Sequence, residues 1–94
     1  MNTPIVNNMI SNNNNPVPNQ FDIMIKGYRF FQSYKTVIAM RDLTGDNCKT
    51  YLDVNRWDYS VTTSRYRNKW LGMTTKQIKK AIKDGSIILK NLNQ

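Results

Sequence analysis

Ninety-four residues carry fourteen Lys and Arg against six Asp, with no Glu and no His, for a formal charge of +8. Without histidine and with a single cysteine, Cys48, the chain can form neither an intrachain disulfide nor a Cys/His zinc site. Acid–base work would fall to scattered Asp, Lys and Tyr with no catalytic spacing, and no run approaches the roughly 18 apolar residues of a membrane span, so composition argues against an enzyme, a cofactor protein and a membrane protein.

In chain order, residues 1–20 hold eight Asn and three Pro and no charge, which reads as a disordered Asn/Pro-rich tail outside a single basic domain over residues 21–94. From Phe21 the period becomes two. Phe21, Ile23 and Ile25 alternate with Asp22, Met24 and Lys26, and after a turn at Gly27, Tyr28 to Tyr34 alternates again. Val37–Met40 suits a third strand, and the Thr44-Gly45-Asp46-Asn47 turn precedes a fourth near Lys49–Val54. In a domain this small, the strand aromatics Tyr28, Phe30 and Tyr34 are expected in the core.

The pattern turns helical after Trp57. Ser60 or Thr62 can cap a helix ending at Gly72, with Tyr66 and Trp70 on one side and Arg65 and Lys69 on another. Thr74 caps a second helix that Gly85 ends, and Ile87–Leu89 is a last strand. The fold class expected is therefore α+β: an antiparallel sheet of three to four strands, two short helices joined as in a helix-turn-helix, and a short terminal strand. A domain of this size buries only about 60% of its unfolded-chain surface, which leaves a homodimer open.

Charge is unevenly distributed. Residues 21–61 are nearly balanced, whereas residues 62–94 hold eight bases against the single acid Asp84. Codon bias toward Lys and Asn explains the number of lysines better than their clustering. On the second helix Ile78, Ala81 and Ile82 share one side, while Lys76, Lys79, Lys80 and Lys83 share the other. Four ammonium groups so close repel one another by a few tenths of a kcal/mol per pair, a cost that an anionic partner relieves. The lysines suit phosphates. Thr75 and Gln77, in the first turn, are the candidates for base edges, with Arg65, Arg67 and Lys69 on the preceding helix in support. Nucleic acid, double-stranded DNA first, is the expected partner, and an acidic protein surface the second. Cysteine usage and the absence of a signal-like N-terminal pattern point to the cytoplasm.

Two resemblances add to this. Residues 71–85 resemble the recognition half of excisionase-type winged helix-turn-helix domains, with Gly72 at the turn, Ile78 and Ile82 inward, and Ser86–Leu89 opening a wing. The small residue that this pattern has four positions before the turn glycine is Asn68 here. The strings Phe31-Gln32-Ser33-Tyr34, Val37-Ile38-Ala39 and Trp57-Asp58-Tyr59-Ser60, then Thr62-Thr63 and Tyr66, resemble an uncharacterised family of small bacteriophage and mobile-element proteins. That resemblance implies a phage-like origin without an assigned activity. It adds two expectations: an inhibitor or modulator docking on an acidic host protein in the host cytoplasm, or a minor virion component.

Overall fold

The computed structural model describes residues 3–93. Six strands form one sheet in the order of the chain: β1 (Ile5–Ile10), β2 (Pro16–Ile25), β3 (Tyr28–Ser33), β4 (Thr36–Asp42), β5 (Lys49–Asp53) and β6 (Ile87–Lys90). Neighbours from β1 to β5 are antiparallel, and β6 pairs with β5 in parallel. A parallel pair requires a long crossover, supplied here by α1 (Val61–Leu71) and α2 (Thr75–Asp84).

The architecture corrects the expected sheet of three to four strands: it is a six-stranded mixed sheet with two helices. One reason lies in residues 5–20, which are paired and not a tail. Asn and Pro argue against strand, yet Pro16 is the first residue of β2, opposite Ile10, and Pro18 falls in a gap of the β1 register. Pairing to β3 begins only at Gln20↔Ser33, and between Asn8 and Ile10 the β1 register skips from Phe21 to Pro16. The connecting turn is held by the Ser11 hydroxyl, which accepts from the amides of Asn13 and Asn15, both at 3.3 Å. Asn14 takes the left-handed conformation that asparagine tolerates (φ 61°). Met9 is buried in the core, and the Lys69 ammonium donates to the Ile10 carbonyl, tying the hairpin to α1.

Gly27 makes the next turn at φ 80°, and its carbonyl accepts from Leu43 at 2.7 Å. A Cβ there would fall 2.6 Å from Thr44 Cγ2, so this corner excludes a side chain on two counts. Where β3 meets β4 the register shifts at Phe31/Gln32, and both Ile38 and Ala39 are buried.

One core lies between the sheet and the helices. Phe31, Ile38, Ala39, Leu52 and Ile87 meet Tyr66, Leu71, Ile78 and Ala81, with Trp57, Trp70 and Ile82 packed at the margin. Phe31 is the buried strand aromatic. Tyr28 and Phe30, expected in the core, lie outside it on the opposite face, and Tyr34 is exposed in a turn.

Candidate nucleic-acid interface

Both helices are positioned by local chemistry. The Ser60 hydroxyl accepts from the Thr63 amide at 3.0 Å and caps α1, which ends where Gly72, at φ 70°, returns its amide to the Asn68 carbonyl. α2 opens with a reciprocal capping box: the Thr74 hydroxyl accepts from the Gln77 amide, and Gln77 Oε1 accepts from the Thr74 amide at 2.9 Å. Gly85, at φ 88°, ends it. Ile78 and Ala81 are buried against the sheet side, and Lys76, Lys79, Lys80 and Lys83 are all exposed.

The lysine face is therefore a solvent-facing stripe along ten residues. One acid, Asp84, stands at its C-terminal end. Hydrogen bonds from the Ser86 hydroxyl and amide, with the attraction of Lys80, keep the Asp84 carboxyl below its usual range against a small desolvation penalty. It is ionised at neutral pH and offsets one lysine at that end.

The remaining candidates divide into free and committed groups. Arg65 is exposed on α1. Lys69 is exposed but already donates to Ile10. Arg67 is fully buried. Its guanidinium donates to the Trp57 carbonyl at 2.5 Å, to Asp58 Oδ1 at 3.3 Å, to Asn68 Oδ1 at 3.1 and 2.9 Å, and to Thr75 Oγ1 at 3.1 Å. It also lies 5.3 Å from the centre of the Trp57 ring. Arg67 is a structural clamp and cannot reach a base or a phosphate.

The same clamp takes Thr75. Its hydroxyl accepts from both Arg67 and Asn68 Nδ2, the latter at 3.0 Å, so it is oriented toward α1. Gln77 is exposed with its amide oxygen spent on the cap. Of the base-reading candidates, the Gln77 amide nitrogen and the Thr75 hydroxyl hydrogen are not spent on these contacts, and the Thr75 hydroxyl is held against α1 by the two bonds it accepts. Asn68, which departs from the helix-turn-helix pattern, turns out to be the hub: its side chain joins Arg67 to Thr75, and its carbonyl accepts from Gly72 at 2.8 Å and Met73 at 3.1 Å. The spacing from Asn68 to Thr75 across a glycine turn was the signal for this contact.

β6 does not open a wing. It joins the main sheet in parallel beside β5, which removes the structural element that the excisionase-like comparison requires. No group of three or more His, Cys, Asp or Glu that could hold a metal ion occurs among the described residues, and no helix there is long and apolar enough to cross a membrane.

Beside the helix junction lies an open depression of about 490 Å³, lined by Asp58, Tyr59, Ser60, Arg65, Asn68 and Thr75. Its one cation is Arg65; Ser60 is committed to the α1 cap, and Asp58, Asn68 and Thr75 to the clamp.

These features define a small basic α+β protein whose second helix carries four exposed lysines on one side. The chain belongs to a family of unknown function, DUF8033, whose profile matches residues 5–85. Comparison with curated proteins and with solved structures finds no match.

Proposed function

We propose that this chain binds nucleic acid, double-stranded DNA first, through the phosphate-directed lysine face of α2. The observation that carries the reading is the separation of Lys76, Lys79, Lys80 and Lys83, all exposed, from Ile78 and Ala81, both buried. Arg65, exposed on the neighbouring helix, extends the positive surface. With Arg67 internal and Thr75 and Gln77 engaged, backbone contact is better supported than base readout.

The test is fluorescence anisotropy on a labelled random duplex across a salt series. Four phosphate contacts give a slope of log K against log salt of roughly −3 to −4, and changing all four lysines to Glu abolishes binding while leaving the far-UV spectrum intact. No binding of the wild type at low salt sinks the reading.

A second reading is favoured by the engagement of Thr75 and Gln77, because a surface without base readers serves an acidic protein as well as DNA. For a chain of phage-like origin, the partner is then an acidic face of a host protein. Capture of that protein by wild type and not by the lysine-to-Glu variant, with no affinity for duplex, supports it.

A further inference from the structure

An antiparallel sheet with one solvated face normally alternates apolar inward and polar outward. Here β2 runs the other way. Asp22 faces the helices, where Trp70 Nε1 donates to it at 2.9 Å, and so does Gln20, whose amide donates to Ser33 Oγ, itself 2.9 Å from Thr63 Oγ1 on α1. The residues that alternate with them, Phe21, Ile23 and Ile25, face away.

The outward pattern continues across the whole sheet. Direct pairings run Val6↔Ile23, Ile23↔Phe30, Phe30↔Met40, Met40↔Tyr51 and Tyr51↔Ile88. Each of the six strands thus contributes one apolar residue to an unbroken row. None of the six belongs to the core or packs against it, and Val6 and Ile88, at the ends, are 55% and 42% exposed. Tyr28 and Phe30 stack at 6.4 Å, widening the row on one side.

We propose that two copies of this chain pack through this face, sheet against sheet, as an isologous dimer. Three observations select a second copy as the occupant. First, six strands at about 4.8 Å spacing and three rows of side chains present roughly 600 Å² per partner, which reaches the lower bound of a stable interface. Second, the charges this face offers to solvent are few and of both signs, Asp42 opposite Lys49 with Lys90 on β6, while Asp53 is buried with its carboxylate on the Asn55 and Leu92 amides, so the face carries little net charge to repel its own copy or draw a polyanion. Third, aliphatic and aromatic residues alternating on a twisted sheet are what face-to-face sheet packing interdigitates, and a two-fold axis makes one such patch complementary to itself. The dimer is independent of the reading of α2, whose lysines point away from this face.

The experiment is sedimentation equilibrium on the full chain, with Phe30→Lys as the variant. The wild type is expected at twice the chain mass of 11.0 kDa, and the variant at that mass with an unchanged far-UV spectrum. Should the variant fail to fold, Phe30→p-benzoylphenylalanine is expected to photocrosslink to a dimer, and the same group at Lys79 to give none. A wild type that stays monomeric at about 100 µM, far above the Kd of a specific interface, overturns the proposal, as does crosslinking from Lys79 and not from Phe30. A monomer whose tyrosine fluorescence is quenched by oligothymidylate overturns it in favour of single-stranded nucleic acid on the same face.

Discussion

A buried guanidinium is tolerated where its donors are paired, and Arg67 meets four partners and a ring. Removing it leaves the Trp57 carbonyl and Asn68 Oδ1 without their donor, takes one of the two bonds that Thr75 accepts, and opens a space the size of a long side chain. Arg67→Ala is expected to cost about 3–5 kcal/mol in urea denaturation, from the cavity and the unpaired polar groups left behind, whereas a phosphate-binding arginine would cost affinity and leave stability alone. Asp22 sets a pH dependence. Burial opposes its ionisation, but hydrogen bonds from Arg29 and Trp70 and the charges of Arg29 and Arg41 outweigh that, so its carboxyl stays below the usual range. A depressed carboxylate contributes stability above its unfolded pKa of about 3.9 and loses it as pH falls through the folded value. Thermal melts should therefore drop below about pH 4, and Asp22→Asn should lower the midpoint at pH 7 and make the acid limb shallower.

At the scale of elements, α1 and α2 are legible because caps are local chemistry. Ser60, Gly72, Thr74 and Gly85 terminate them in the structure as their residue types suggest. Thr74→Ala, which breaks the capping box, is expected to cost about 1 kcal/mol by chemical denaturation. The lysine face is legible for a similar reason, since a period of 3.6 separates it from Ile78 without knowledge of the rest. β1 was not legible, because Asn-rich composition hides a strand whose one buried residue is Met9 and whose partner prolines sit at a register gap. Arg67 was not legible either: an arginine's burial is decided by Trp57, Asp58 and Thr75, which only the tertiary fold brings to it.

For the whole molecule, the question is which side of each strand faces inward, and alternation alone cannot answer it. A one-residue change of side exchanges Phe30 for Phe31, and the choice is made by contacts such as Trp70 to Asp22 and Ser33 to Thr63. A face-to-face dimer would leave both lysine stripes outside. Ile78→Asp should then unfold the chain, while Glu at the four lysine positions should leave the fold and the oligomeric state unchanged, as read by circular dichroism and sedimentation.

Strand order carries a kinetic consequence. From β1 to β5 each strand pairs with the next in sequence, so the meander closes over short loops, whereas β6 must return across residues 54–86 to reach β5. Short-range pairings form early and the crossover late. Until α1, α2 and β6 dock, a folding chain holds a sheet with Phe31, Ala39 and Leu52 bare on one side and Ile23, Phe30 and Tyr51 on the other, a species prone to aggregation. The +8 charge, mostly carried by the late-docking C-terminal third, supplies mutual repulsion between such chains during that interval.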